Sequence, residues 1–302
     1  MEQRIFMTGT GGMVGSYVSA CAWHAPIMQT DVREFDITDT AQVERFFAQY
    51  AKEISWIVHL AAETDVDRCE QDKDHAMRVN VLGTQNMVYA AQRYDIPLLF
   101  VSTVGIFGGD GQLGPFHEFS TPCPANFYAW TKWYGEEIVR QHLTKYVILR
   151  AGWMMGGGAK DKKFVMKIIR QLLDGKREIF AIEEIIGSPT YAKALVRTMS
   201  EMLQTSYWGT YNCTGNGKMS RYDFARVICK EIDPSVRVTP VVSSFFNLPA
   251  PRAASEHSEN RMLTLRGLNT MPSSEDSVRA YIEEIRLAGI LDPLRAHAAV
   301  RL

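Results

Sequence analysis

Three groups of residues in this sequence have the types and spacing needed for chemistry. The first is the triplet Gly9, Gly12 and Gly15, which follows the apolar run 4–8. At a strand-to-helix turn, the first glycine permits a tight turn, the second lets the backbone approach a pyrophosphate, and the third lets the helix pack against the strand. Because this is the first such turn of the chain, the spacing predicts a dinucleotide site; a glycine-rich turn without a nucleotide is the alternative.

An acidic residue that could bind a ribose lies at the end of the next apolar run. Asp31 follows Gly15 by 16 residues, and a carboxylate there can accept a hydrogen bond from the ribose 2′-hydroxyl of NAD. Arg33 lies two residues further on and could instead meet the 2′-phosphate of NADP. The sequence therefore predicts NAD(H) or NADP(H) as cofactor and leaves the choice between them open.

The second group is Tyr128 and Lys132, which are four residues apart in a helical pattern. Residues i and i+4 share one face of a helix, so the ammonium can lie near the phenol. A phenol has a pKa of about 10, and a neighbouring cation lowers it toward a value useful for proton transfer. A surface pair without a catalytic role is the alternative, since this spacing also arises by chance.

The third group is Ser102 and Thr103, at the carboxyl end of the apolar run 97–103. Open parallel sheets bind ligands beyond the carboxyl ends of their strands. A hydroxyl at that place could bind the same substrate oxygen that Tyr128 protonates, although such residues more often form a turn or a helix cap.

Alternating strands and helices must position these groups. Apolar runs predict strands at 4–8, 26–30, 55–61, 97–103 and 145–151, and a 3.6-residue period predicts helices at 12–23, 40–52, 72–94 and 124–142. This order predicts an α/β fold, with a Rossmann-type, doubly wound parallel sheet in a dinucleotide-binding domain, 1–152. Residues 153–302 are expected to form a smaller α/β substrate-binding lobe, with some later strands returning to the sheet.

The later part of the chain has a less regular pattern. Helices are expected at 161–174, 190–204 and 276–287 and from Ser220 onward, strands at 178–182 and 209–213, and irregular structure at 243–260.

Composition limits the classes of partner. The 302 residues carry a net charge of −1, which gives no general attraction for nucleic acid or for an anionic membrane. Five cysteines without a metal-ligand spacing predict neither a disulfide framework nor a metal site. The expected protein is soluble and cytoplasmic, and a homodimer is the prior expectation for its assembly.

The three groups, in this order, resemble the extended, sugar-nucleotide branch of the short-chain dehydrogenase/reductase superfamily. Within that branch the chain is most similar to the dTDP-4-dehydrorhamnose reductase family. The resemblance rests on the single residue Asn80 and on six stretches: FDITD (35–39), HLAAETDVD (59–67), STVGIF (102–107), YAWTK (128–132), LRAGW (149–153) and GSPTYA (187–192). The likeness is weaker beyond residue 215.

The resemblance implies a reaction and assigns roles to residues. NAD(P)H would deliver a hydride to the C4 ketone of a nucleotide-linked 4-keto-6-deoxy sugar, while Tyr128 gives the proton. Thr103 would orient the carbonyl, Lys132 would hold the nicotinamide ribose and lower the pKa of Tyr128, and Asn80 could support a water relay. The residues expected to bind the cofactor are Gly9, Gly12, Met13, Val14, Gly15, Asp31, Arg33, Asp36, Ile37, Ala61, Ala62, Thr64, Asn80 and Lys132. Those expected to bind the substrate are Thr103, Val104, Trp153 and Arg252.

The chain departs from the family at one place in the site. Relatives have Thr-Asp-Tyr where this chain has Thr103-Val104-Gly105, so a polar group near the substrate is missing. Dehydratases of the branch have Thr-Asp-Glu there, and Val104 and Gly105 cannot supply their acid and base. The departure predicts a sugar nucleotide other than the usual rhamnose precursor.

A diphosphate needs local cations in a neutral protein. Arg252 is the preferred candidate because a guanidinium suits phosphate, and Arg261 also lies in the later segment. Lys160, Lys162, Lys163 and Lys167 form a second basic group, for which a solvated helix face is the alternative. Two other functions remain open at this stage: an NAD-dependent nucleotide-sugar epimerase, and a non-catalytic NAD(P)-binding regulatory subunit.

Overall fold

The computed structural model describes residues 2–294. Its strands are β1 Arg4–Thr8, β2 Ile27–Gln29, β3 Ile54–His59, β4 Leu98–Thr103, β5 Tyr146–Ala151, β6 Trp153–Met155, β7 Glu178–Ile182, β8 Ile186–Gly187, β9 Pro189–Tyr191, β10 Gly209–Asn212, β11 Met219–Ser220, β12 Arg237–Val241 and β13 Ser255–Glu256. Its α-helices are α1 Thr40–Tyr50, α2 Val66–Gln71, α3 Lys73–Met77, α4 Gly83–Tyr94, α5 Phe127–His142, α6 Phe164–Leu173, α7 Ala192–Met202, α8 Arg221–Ile232, α9 Arg261–Leu265 and α10 Ser274–Leu287.

A six-stranded parallel sheet forms the centre of the fold, in the order β10-β5-β4-β3-β1-β2. The predicted α/β class and the parallel, doubly wound sheet are therefore confirmed. The sixth strand, β10, comes from the second half of the chain and pairs with β5.

Helices cover both faces of this sheet. Alternate residues of β1 point to opposite faces, so that Phe6 belongs to one apolar cluster and Ile5 and Met7 to another. The cluster of Phe6 lies between the sheet and the layer of α1, α4 and α5. The cluster of Ile5 includes α7 and continues into the elements after residue 153, so both halves of the chain share one core.

The helix after the glycine turn differs from the expected one. The sequence predicts a helix over 12–23, and the structure has a 3-10 helix at Val14–Ala20 with no side-chain cap. Glycine, serine and β-branched valine are poor α-helix formers, which accounts for the short, tight helix.

The long helix expected at 72–94 is divided. The described chain has α3, a π-helical turn at Arg78–Leu82, and α4. Asp39 and Asp72 cap α1 and α3 by accepting hydrogen bonds from the Gln42 and His75 amides. The sequence does not predict α2, which begins after Asp65, whose carboxylate accepts hydrogen bonds from the amides of Asp67 and Arg68.

Smaller sheets position the rest of the site. β13 pairs with β8, which pairs with β11, while β6 pairs with β9 and β7 with β12. Ser220 and Asp223 form a capping box that begins α8. Segment 243–260, expected to be irregular, contains a 3-10 turn at Ser243–Phe245 and β13. Over the described residues, no helix has the length and apolar character required to span a bilayer.

Candidate active site

The glycine turn at the end of β1 needs glycine for steric reasons. Gly9 has φ +70°, and a Cβ there would lie 2.7 Å from the backbone of Ala61. A Cβ on Gly15 would lie 2.0 Å from the carbonyl oxygen of Thr10. Gly12 is exposed, and its Cβ would meet nothing closer than the Gly9 carbonyl at 3.3 Å. Gly9 and Gly15 are thus needed for the packing of the backbone, whereas the backbone at Gly12 is exposed to solvent.

Met13 and Val14 begin the 3-10 helix that follows the turn. The glycine loop 156–158 packs against this place, because a Cβ on Gly157 would lie 3.2 Å from the Met13 Cα. Tyr17 joins the same two segments, since its hydroxyl accepts a 2.7 Å hydrogen bond from the Gly157 amide and donates one of 2.6 Å to Glu284. The backbone of the turn is therefore supported from the second half of the chain.

Asp31 lies directly against the glycine turn. Its carboxylate oxygen lies 2.0 Å from the position that a Cβ on Gly11 would occupy, so the lack of a side chain at Gly11 makes room for this carboxylate. Asp31 Oδ1 also accepts a hydrogen bond from the Val32 amide at 2.7 Å. Arg33 is exposed beside it. Both candidates for recognition of a ribose are thus at the edge of the turn.

Asp36 and Ile37 form a fixed corner before α1. Asp36 Oδ1 accepts hydrogen bonds from the amide and hydroxyl of Thr38, both at 2.8 Å. Ile37 is buried against Gly83, where a Cβ would lie 2.5 Å from its terminal carbon, and its carbonyl accepts a hydrogen bond from Asn86.

The loop after β3 carries Ala61, Ala62 and Thr64. The Ala61 amide donates to Thr8 Oγ1 at 3.3 Å, which joins this loop to β1. Lys163 reaches it from the other side, and its Nζ donates to the Thr64 carbonyl at 2.6 Å and to the Thr64 hydroxyl at 3.3 Å. Lys163 therefore connects the start of α6 to the predicted cofactor loop, a contact that spacing alone does not indicate.

The other three lysines of the basic group, Lys160, Lys162 and Lys167, are exposed, in agreement with a solvated face.

Asn80 lies fully buried in the π-helical turn. Its Oδ1 accepts from the Glu63 amide at 2.8 Å, and its Nδ2 donates to the Glu63 carbonyl and to Thr131 Oγ1, each at 3.0 Å. Because both amide protons are already bonded, Asn80 has none to donate to a relay water in this structure. Its observed contacts tie the β3 loop to α5.

Tyr128 lies in the first turn of α5, with Lys132 one turn later. Asn126 caps this helix by accepting from the Ala129 amide at 3.0 Å, and Glu70 accepts from the Phe127 amide at 2.9 Å. The side chains of Asn126 and Glu70 therefore fix the start of α5, and with it the position of the Tyr128 phenol.

Burial raises the pKa of the Tyr128 phenol above its ordinary value. The negative charges of Glu256 and Glu63 act in the same direction, and hydrogen bonding with the Thr103 side chain opposes them. The net direction is upward and Thr103 is the group that opposes it, so the expectation that Lys132 lowers this pKa stays a prediction. The phenol is therefore protonated at neutral pH.

Lys132 is buried, with its Nζ 4.0 Å from the centre of the Phe100 ring. Burial lowers the pKa of Lys132 to about 7, although the nearby Glu136 acts to raise it. Glu136 is itself held by Arg150, through bonds of 2.7 to 3.2 Å. The Lys132 ammonium is therefore removed from water one helical turn after the phenol.

His59 is a second buried titratable group that the sequence analysis did not assign. Its Nδ1 lies 2.9 Å from Thr8 Oγ1 and its Nε2 3.2 Å from Thr84 Oγ1. Burial, and then the charge of Lys132, lowers the pKa of His59 to about 3. A neutral imidazole therefore joins β1, β3 and α4 beneath the site.

Thr103 ends β4 and begins the 3-10 turn Val104–Ile106, with its Oγ1 accepting from the Gly105 amide at 3.0 Å. Val104 is fully buried in an apolar cluster with Ile106, Phe107 and Phe116. The prediction that Val104 binds substrate is therefore not supported, because its side chain packs into this cluster and exposes no surface.

Trp153 stands at the start of β6 and is buried. A Cβ on Gly187 would lie 2.2 Å from its ring, so that glycine makes room for the indole. The guanidinium of Arg221 lies 3.5 Å over the ring. Arg221 follows the capping serine of α8 and is not indicated by a motif, whereas Gly187 begins the stretch 187–192 that carries the resemblance.

Arg252 is half-buried and paired. It donates to Asp67 Oδ1 and to the Ala250 carbonyl, each at 2.8 Å. In this structure it therefore joins α2 to the segment before β13. Glu256 ends β13 close by, and the positive charges of Arg221 and Arg252 oppose the rise that burial causes in its pKa.

Comparisons with known proteins identify the family. The RmlD substrate binding domain family matches residues 3–287. A dTDP-4-dehydrorhamnose reductase of Mycobacterium tuberculosis is 30% identical over 278 residues, which cover 89% of each chain.

Two solved dTDP-4-dehydrorhamnose reductases share the fold over 94% of this chain and 100% of their own. The enzyme from Clostridium acetobutylicum is 30% identical with a TM-score of 0.88. The enzyme from Bacillus anthracis, solved in complex with NADP, is 31% identical with a TM-score of 0.86. The resemblance expected from the motifs is thereby confirmed, and the chain belongs to the RmlD substrate binding domain family.

Proposed function

We propose that this protein reduces the C4 ketone of a nucleotide-linked 4-keto-6-deoxy sugar with NAD(P)H. The observation that carries the proposal is the placement of Thr103 and Tyr128. Their side chains meet beyond the carboxyl end of β4, and the glycine turn lies beyond the carboxyl end of β1 in the same sheet. A ligand bound at this edge reaches both places.

The residues at the turn fit a dinucleotide. Gly12 presents exposed backbone without a side chain, the Asp31 carboxylate lies beside the turn, and the loop with Ala61 closes its other side. The chemistry that the bound dinucleotide supplies is hydride transfer. Arg33 is exposed where a 2′-phosphate would lie, and the relative from Bacillus anthracis binds NADP. Both forms of the cofactor fit this chain.

Side chains of the protein supply the proton and stabilise the charge that remains. Tyr128 is protonated at neutral pH and can donate to the carbonyl oxygen, while the Thr103 hydroxyl holds that oxygen by a hydrogen bond. Lys132 lies on the same face of α5, where a positive charge stabilises the phenolate that remains. Asn80 positions α5 through Thr131.

The finer features of the proposal follow the family. The substrate is a nucleotide diphosphate sugar, and a location in the cytoplasm and a homodimer remain predictions. Residues beyond 294, which belong to the expected substrate-binding lobe 153–302, lie outside the described part of the chain.

The test is a panel of nucleotide-linked 4-keto sugars assayed by oxidation of NADH and NADPH. We expect net oxidation with at least one of them, and a fall in kcat of about 100-fold or more for Tyr128→Phe. Tyr134→Phe is the matched control, because Tyr134 lies on the same helix and is 43% exposed; it should keep full activity.

Other outcomes contradict the proposal in distinguishable ways. Co-purified NAD without net oxidation would indicate an epimerase. Biological activity that survives Tyr128→Phe would indicate a non-catalytic subunit.

A further inference from the structure

One carboxyl group in the wall of the site has no role in the proposed chemistry. Glu256 ends β13, far along the chain from Thr103 and Tyr128. Its Oε2 lies 3.5 Å from the position that a Cβ on Gly105 would occupy, and the Thr103 hydroxyl lies 3.1 Å from the same position. The two side chains therefore face each other across the space that a side chain at residue 105 would fill.

The charges of two arginines act on the Glu256 carboxyl group. Arg221 lies over the Trp153 ring at 3.5 Å, and its charge attracts the Glu256 carboxylate, as does the charge of Arg252. Arg252 is in turn anchored to Asp67 at 2.8 Å. The carboxyl group is thus directed by neighbours from three different segments.

A buried donor lies beside this carboxyl group. The Trp153 indole N–H is buried and meets no partner at full hydrogen-bond geometry within residues 2–294, and it points to Glu256 closely enough to lower the pKa of that carboxyl group. Buried polar groups without partners destabilise a fold, so they mark places where a ligand or water completes the bonding. An acceptor and a donor side by side match a hydroxyl group, which donates one hydrogen bond and accepts others.

We propose that Glu256 is a specificity-determining residue that binds, together with the Trp153 N–H, the C3 hydroxyl of the sugar. The inference rests on the proposed function, which places the C4 carbonyl at Thr103 and Tyr128. C3 and C5 neighbour C4, and in a 4-keto-6-deoxy sugar only C3 of these two carries a hydroxyl. Because Glu256 faces Thr103, that hydroxyl is the group nearest to it.

The experiment compares two substrates that differ only at C3. Kinetics are measured with NADPH and the full-length protein, using dTDP-4-keto-6-deoxyglucose and its 3-deoxy counterpart. We expect Glu256→Ala to lower kcat/KM about 10- to 100-fold for the 3-hydroxy substrate and less than about threefold for the 3-deoxy substrate. Glu256→Gln keeps one acceptor oxygen and should recover part of this loss.

Glu259→Gln is the matched control, because Glu259 is exposed three residues further on, and it should leave both values unchanged. Thermal unfolding of each variant verifies that it is folded.

Equal losses with both substrates, or no loss with either, would overturn the assignment of Glu256 while leaving the reductase function intact. If the unmodified protein reduces none of the 4-keto sugars of the panel, the proposed function fails, and this inference fails with it.

Discussion

The cofactor side and the substrate wall of the site are built in different ways. On the cofactor side, Gly9, Gly15 and Asp31 lie close together in the chain, within the unit formed by β1, the 3-10 helix and β2. In the substrate wall, Arg221 and Glu256 come from segments distant from the catalytic helix and meet only through tertiary contacts. The substrate wall can therefore change by substitution without disturbing the turn.

An ion pair of the catalytic helix and an ion pair of the substrate wall also differ in their burial. Arg150 and Glu136 are 2.7 Å apart and almost completely buried, and they fasten α5 to β5. Arg252 and Asp67 are 2.8 Å apart, with a quarter or more of each side chain exposed. Removing one partner of a buried pair leaves an unpaired charge in the protein, whereas water replaces a lost partner at the surface. The first pair should therefore hold the fold and the second the site.

The largest effect is expected at the buried pair. Arg150→Met should lower the free energy of unfolding by about 3–5 kcal/mol, because Glu136 loses its closest partner inside the protein. Urea denaturation measures the change. Arg140→Met is the control, since Arg140 bonds the same carboxylate at 3.0 Å from a more exposed position and should have a smaller effect. Equal losses would show that burial does not distinguish the two arginines.

Substitutions at two glycines of the turn should separate an effect on stability from an effect on cofactor binding. Gly15→Ala should destabilise the protein by about 1–3 kcal/mol, because the added Cβ would lie 2.0 Å from the Thr10 carbonyl oxygen. Gly12→Ala has a nearest contact of 3.3 Å and should unfold at nearly the same temperature.

The affinity for NADPH should nevertheless fall about tenfold or more in Gly12→Ala, because the methyl group stands where the pyrophosphate approaches. Calorimetric titration measures it. Unchanged affinity would remove Gly12 from the cofactor site.

Because Lys132 is buried, it should make the free energy of unfolding depend on pH. The pKa of Lys132 is lowered from 10.5 to about 7, so the folded protein binds fewer protons than the unfolded chain between these pH values. The free energy of unfolding should therefore gain a rising contribution as pH increases through this range.

Lys132→Met should lack that rise and should be more stable near pH 7 by about 1–2 kcal/mol, since an apolar side chain fits beside Phe100. Lys52→Met, at an exposed position, is the control and should keep the rise. If the free energy of unfolding of Lys132→Met depends on pH as that of the unmodified protein does, the pKa of Lys132 is not lowered in the fold.

The sequence predicts the cofactor side better than the substrate wall for a physical reason. Strands such as 4–8 and the period of α5 are encoded by neighbouring residues, and the prediction of a parallel sheet was correct. The 3-10 helix after the turn was missed because weak helix formers left the conformation to packing.

Glu256 gave no signal in the sequence because its position depends on β13 pairing with β8. Val104 was assigned to the substrate because it follows Thr103, yet the 3-10 turn directs it into the core. Contacts between distant segments have no local spacing that could reveal them.

The smallest effect on stability is expected at Arg252, and it tests the comparison most directly. Arg252→Met should change the free energy of unfolding by less than about 1 kcal/mol, because its pair with Asp67 is partly exposed. The KM for the nucleotide sugar should rise, since Glu256 loses one of the two positive charges that act on it, while kcat with saturating substrate falls less. Urea denaturation and steady-state kinetics on the same preparation measure both quantities. A loss of stability as large as that of Arg150→Met would show that the partly exposed pair of the substrate wall supports the fold as strongly as the buried pair of the catalytic helix does, and the contrast between the two pairs would not hold.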